Sequence, residues 1–149
     1  MCVCQNKIDV KVKLLSNSAI IPEYQTKGSV GFDLHSTRDF IIYPNETVLV
    51  PTGISVSIPD GYEIQIRPRS GLAVKHGITV LNAPGTIDSD YRGEIKVALI
   101  NLGSRDVSFK LGDRIAQAVI APVVKGNFTQ VDTLDETERG SCGFGSTGM

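Results

Sequence analysis

Leucine and alanine, which favour helices, are scarce, at 10 and 7 of 149 residues. A largely helical fold is therefore excluded. Cysteine is scarcer still. Cys2, Cys4 and Cys142 make an odd count with two at the extreme N-terminus, which excludes a disulfide framework and fits a reducing compartment. Cys2 and Cys4 have no nearby His or second Cys pair to complete a zinc site. An excess of one charge is also missing: 15 Lys plus Arg against 16 Asp plus Glu leave a formal net charge of −1. Such a chain has no general electrostatic pull on nucleic acid. No apolar run approaches the roughly 20 residues of a bilayer span, and Met1 to Lys13 hold no apolar stretch of signal-peptide length. The expected location is cytoplasmic, with a nuclear or organellar one left open, and no nucleic-acid or membrane partner is expected.

Val, Ile and Thr together supply 40 residues, and 15 Gly and 7 Pro punctuate the whole length. The composition predicts a single all-β domain of many short strands. Val10, Val12 and Leu14 alternate with Lys11 and Lys13, a strand with one wet and one buried face. Strands are also expected at 40–43, 47–50, 78–81, 95–99, 107–111 and 115–124. The alternations 54–58 and 62–67 flank Pro59-Asp60-Gly61, the best hairpin signal in the chain. One short helix is expected, with Ser70 as its cap, Gly71 to His76 as its body and Gly77 as its stop. The body is expected to span 1–135. Residues 136–149 hold four glycines and little that is apolar, so they read as a flexible tail that orders only on a ligand.

Polar islands interrupt the strands. In Gly31-Phe32-Asp33-Leu34-His35-Ser36, a carboxylate between apolar neighbours needs a partner. The bland reading is a turn and a strand. Arg67-Pro68-Arg69-Ser70-Gly71 is either an anion site at a helix start or a solvated turn. Asn82-Ala83-Pro84-Gly85-Thr86-Ile87-Asp88-Ser89-Asp90-Tyr91-Arg92-Gly93 offers an amide, an aromatic and a carboxylate able to act as general base, on a hairpin that Gly85 and Gly93 would bracket and whose backbone can approach a ligand, or else a plain hairpin turn. In Gly112-Asp113-Arg114-Ile115-Ala116-Gln117, Gly-Asp is turn chemistry, while Arg114 and Gln117 can reach a site or a buried partner. The last, Arg139-Gly140-Ser141-Cys142-Gly143-Phe144-Gly145-Ser146-Thr147-Gly148, lacks the Lys and following helix of a Walker A loop, though glycine-rich backbone can still form an anion nest. Phe144 makes sense there only if it stacks on something. His35 and His76 read as structural or surface residues.

Together and in order, these islands resemble the five motifs of the homotrimeric dUTPase family (deoxyuridine triphosphate nucleotidohydrolases), over Gly31 to Gly148. Val30 departs from the pattern, which more usually has Ala there. The resemblance implies a distorted β jelly roll and hydrolysis of dUTP to dUMP and pyrophosphate with Mg²⁺ in a homotrimer with shared sites. It implies that Asp88 activates the water that attacks the α-phosphorus. Asn82 and the backbone of Gly85, Thr86, Ile87 and Asp88 would read uracil, with Lys96 near the base through its backbone. Tyr91 would lie beneath the deoxyribose and exclude a 2′-hydroxyl. Arg69, Ser70 and Gly71 would hold phosphates from a neighbouring subunit, with Gln117 near the α-phosphate. Arg139, Phe144, Gly145, Ser146 and Thr147 would close over the ligand, Phe144 on uracil and Ser146 and Thr147 on the terminal phosphates. The triphosphate would hold the Mg²⁺ without direct protein ligands, and Asp33 would support its water shell or a nearby Arg. Two alternatives are a dCTP deaminase-type enzyme of the same superfamily, which uses Glu where this chain has Asp88, and a non-catalytic jelly-roll binding module.

Overall fold

β-branched residues on alternating positions produce short strands whose pairing places their apolar faces inward. The computed structural model describes residues 7–148. Cys2 and Cys4 therefore lie outside the described residues. β1 (Lys11–Leu14), β2 (Phe32–His35), β3 (Phe40–Ile42), β4 (Thr47–Pro51), β5 (Ile54–Ser57) and β6 (Tyr62–Arg67) precede helix α1 (Ser70–His76). β7 (Ile78–Val80), β8 (Gly85–Ile87), β9 (Lys96–Asn101), β10 (Val107–Phe109) and β11 (Arg114–Pro122) follow it. The strands pair antiparallel in four sheets among the described residues, ordered β1-β5, β10-β3, β4-β9-β7 and β2-β11-β6-β8.

The core lies between these sheets. Leu34, Ile42, Val50, Ile54, Ile64, Ile78, Val97, Leu99 and Ile115 are all buried within it. Each such side chain contributes roughly 1.5–3 kcal/mol of transfer free energy. The buried Asn101 is fully occupied. Its amide donates to the Ile42 and Arg105 carbonyls at 2.9 and 2.7 Å and accepts from the Gly103 N–H at 2.9 Å, so the polar group is paid for by its partners.

Four expectations change. β5 and β6 do not form a hairpin: β5 pairs with β1, and β6 pairs with β11 and β8. Pro59-Asp60-Gly61 instead carries the chain from one sheet to another, with Ile58 buried at the corner. The island from Gly85 to Gly93 is not a hairpin either. Its first residues form β8, which pairs with β6, while β9 belongs to another sheet. Ser70 is the first helical residue and not the cap. Arg69 occupies the cap position in an extended conformation and makes no side-chain cap hydrogen bond. Finally, the inward face of β1 is only part-covered, with Val12 half-buried and Leu14 exposed.

Beyond Pro122 the described chain has no helix or strand, and almost every residue from Val124 to Gly148 is exposed. The hydrogen bonds of residues 137–148 stay within that segment, including Arg139 Nε to the Cys142 carbonyl at 2.9 Å.

Candidate active site

β8 and β9 belong to different sheets, and a cavity of about 420 Å³ lies against both. Asn82, Gly85, Thr86, Ile87, Asp88, Tyr91 and Lys96 all line it, joined by Leu49, Ile66 and Glu94. A Cβ on Gly85 would come within 3.1 Å of Ile66 Cβ, tighter than an ordinary contact, so its absence eases the close pairing of β8 with β6. The turn after β8 is tied by Tyr91 N–H to the Asp88 carbonyl at 3.2 Å. Arg92 Nη1 donates to the carbonyls of Ser89 and Tyr91 at 2.6 and 3.0 Å, and Tyr91 Oη donates to the Glu94 carbonyl at 2.9 Å. Asp88 is exposed at this turn. Among the described residues no ion pair engages its carboxylate.

A second cluster stands at the other edge of the four-stranded sheet. Alternation along β2 sends Phe32 and Leu34 to the core and Asp33 and His35 to the opposite face. Asp33 finds the partner a half-buried carboxylate needs. Its Oδ1 lies 3.3 Å from Arg69 Nε and its Oδ2 3.5 Å from Arg114 Nη1. Arg69 Nη1 also donates to the Arg114 carbonyl at 3.4 Å. Gln117, opposite Asp33 on β11, donates Nε2 to the Pro68 carbonyl at 3.0 Å and so fixes the segment leading into Arg69, Ser70 and Gly71. Burial holds the His35 pKa below its ordinary 6.5, and the Arg114 and Arg69 charges lower it further against the pull of Asp33. Among the described residues the buried His35 Nδ1 has no hydrogen-bond partner.

The two clusters are far apart within one chain. With the order β2-β11-β6-β8, Asp33 and the end of β8 are three strand spacings apart, about 14 Å. Asp33 aligns through Gln117 with Arg67, whereas Ile87 aligns with Ile64. Asp88 is therefore displaced a further ~13 Å along the strands. Arg139, Phe144, Gly145, Ser146 and Thr147 do not line the cavity, and the Phe144 ring is fully exposed.

The sequence profile of the dUTPase family matches residues 17–148. The chain belongs to the dUTPase family. A deoxyuridine 5′-triphosphate nucleotidohydrolase of Nautilia profundicola is 62% identical over 139 residues, covering 93% of this chain and 98% of its own. The enzyme of the same name from Helicobacter pylori J99 is 52% identical over 140 residues, covering 94% and 97%. Among solved structures, a Staphylococcus bacteriophage 80alpha dUTPase variant with dUpNHpp superposes with a TM-score of 0.85 at 29% identity, over 95% of this chain and 99% of that one. A dUTPase variant from phage phi11 of S. aureus, described for its coordination of a structural Mg(II) ion, gives 0.79 at 26% identity over 84% and 97%. The fold is thus the expected jelly roll.

His35 and Glu94 carry no site signal in the sequence and Gly93 only that of a turn, whereas Arg114 already stands there as a residue able to reach a site or a buried partner. Period-two alternation already put His35 on the face of Asp33. Glu94 acts through its carbonyl, for which side-chain type carries no signal.

Proposed function

We propose that this dUTPase-family chain hydrolyses dUTP to dUMP and pyrophosphate, keeping uracil out of DNA and supplying dUMP for thymidylate synthesis. The observation that carries the proposal is the free Asp88 carboxylate at the rim of a cavity walled by the β8 backbone, Asn82 and Tyr91. Backbone groups of Gly85 to Asp88 offer a fixed set of donors and acceptors, the counterpart of a base edge. With uracil seated against this wall, a base bearing a 5-methyl group would be excluded. Asp88 takes a proton from water as the water oxygen bonds to the α-phosphorus. The bond from the α-phosphorus to the bridging oxygen breaks in line, and pyrophosphate leaves with its electron pair. Most of the rate then comes from positioning and charge neutralisation.

Arg69, Ser70, Gly71 and Gln117 belong to the phosphate side. Asp33 holds Arg69 and Arg114 in place, which favours the arginine-supporting role over the metal-water one. A Mg²⁺ would be held mainly by the triphosphate, without direct protein ligands. When bound, that ion neutralises phosphate charge. The ~14 Å by ~13 Å offset between Asp88 and Asp33, on which the Arg69 and Arg114 guanidinium groups converge, exceeds the reach of one triphosphate chain. This supports a homotrimer whose sites combine Asp88 of one subunit, Arg69 to Gly71 of another and the tail from Arg139 to Thr147. A body of 1–135 with a closing tail of 136–149, in the cytoplasm, completes the reading.

Mixing the protein with dUTP, dCTP and UTP and measuring pyrophosphate, dUMP and ammonia tests it. Pyrophosphate and dUMP from dUTP alone are expected. Ammonia from dCTP would point to a deaminase, and no product at all to a binding module. Asp88→Asn should keep nucleotide binding and lose a factor of about 10²–10⁴ in rate. Near-normal turnover would remove Asp88 from the chemistry.

A further inference from the structure

We infer that Gly93 and the Glu94 carbonyl are positioning elements that hold the Tyr91 ring at the mouth of the cavity, and so set discrimination between deoxyribose and ribose. This rests on the proposed reading of Tyr91 as the sugar-facing group. The phenol is folded back over its own chain. Tyr91 Oη donates to the Glu94 carbonyl at 2.9 Å. That carbonyl is a fixed acceptor, because the next residue, Ile95, is buried and pinned on both backbone groups. Ile95 N–H donates to the Ile54 carbonyl at 2.9 Å. The Ile95 carbonyl accepts from Thr52 N–H at 3.3 Å and from Thr52 Oγ1 at 2.6 Å.

Gly93 supplies the space in which the ring lies. A Cβ there would collide with Tyr91 Oη and sit 2.6 Å from Cζ and 3.0 Å from Cε2. The position is no demand of the backbone, since Gly93 is absent from the residues with positive φ. Alanine at 93 therefore fits the local chain, and the movable partner, the ring, must give way. A ring displaced by about 1 Å leaves the sugar face open and misplaces the substrate, a change that costs up to ~10²-fold in comparable cases.

The test compares kcat/KM for dUTP and UTP in the full-length protein and four variants: Gly93→Ala, Tyr91→Phe, Tyr91→Ala and the Gly93→Ala/Tyr91→Ala pair. Gly93→Ala should lower the dUTP-to-UTP ratio by roughly tenfold with an unchanged thermal midpoint. Tyr91→Phe, which cuts the tether without touching residue 93, should lower the ratio by a smaller factor. The paired variant should be no worse than Tyr91→Ala alone, because the ring that alanine displaces is gone. If Tyr91→Ala relaxes the ratio while Gly93→Ala and Tyr91→Phe leave it unchanged, the inference is overturned and the reading of Tyr91 stands. If the two losses simply multiply in the paired variant, Gly93 acts elsewhere and the inference again fails. If Tyr91→Ala itself leaves the ratio unchanged, it is the reading of Tyr91 that falls, and the assigned purpose of Gly93 with it.

Discussion

His35 has surroundings that disfavour its protonated form. It sits on β2 two residues from Asp33, with Arg69 and Arg114 nearby, and its buried Nδ1 has no partner among the described residues. Its folded pKa lies below 6.5, with burial the largest cause. The unfolded chain therefore takes up a proton as pH falls through about 6.5, before the folded chain does. Stability is fully present above that pH and is lost as pH falls towards and through the folded-state value. His35→Gln should flatten this acid limb. Urea midpoints measured from pH ~7.5 to ~5 should fall more steeply for the parent protein than for the variant. Parallel curves would show that other groups carry the acid response.

At the scale of elements, α1 is a seven-residue helix whose C-terminal end is better specified than its start. Gly77 adopts φ 69° and ψ 19°, and its N–H reaches the carbonyls of Leu72 and Ala73. A Cβ there would approach Gly103 N to 2.6 Å and Gly103 Cα to 2.8 Å, both backbone atoms that cannot swing away. Gly77→Ala should therefore cost about 2 kcal/mol, more than the left-handed conformation alone demands. Circular dichroism should show a fall in Tm of roughly 4–8 °C. A drop of only a degree or so would mean that the Gly103 segment yields.

The same scale shows what was legible beforehand. Alternation marked the faces of β5, β6 and β9 because burial has the period of the pleat. It was silent on pairing: the Ile54–Arg67 pattern is identical whether the turn closes a hairpin or carries the chain between sheets. β8 was hidden inside the turn-forming island from Asn82 to Gly93, because a three-residue strand has too little length to show a period. Asn82, Asp88 and Tyr91 stood out through their chemistry. The Asp33 partners Arg69 and Arg114 come from segments far apart in sequence, and only the β2-β11-β6 order brings them together.

At the scale of the whole molecule, one chain leaves much apolar surface uncovered. Val124, Phe128 and Leu134 are almost wholly exposed, and a Phe-sized side chain left in water forgoes roughly 1.5–3 kcal/mol. Light scattering at micromolar concentration should report a mass near three chains of 16.0 kDa; a monomer would contradict the shared-site reading. The tail should act between subunits. Asp88→Asn with its tail intact, and a chain truncated after Glu138, should each be inactive alone. Co-refolding should restore activity, because a mixed assembly can pair one chain's Asp88 with another's tail. Verified mixed trimers without activity would place each tail over its own subunit.

The Asp33 and Asp88 clusters occupy opposite edges of one sheet. If each pocket is completed by a neighbour, mass action governs catalysis as well as assembly. Specific activity then falls on dilution, and falls late if the nucleotide bridges two chains and so opposes their separation. Substrate becomes a clamp on the oligomer: it raises the apparent melting temperature and slows subunit exchange, and hydrolysis to dUMP releases that clamp with every turnover.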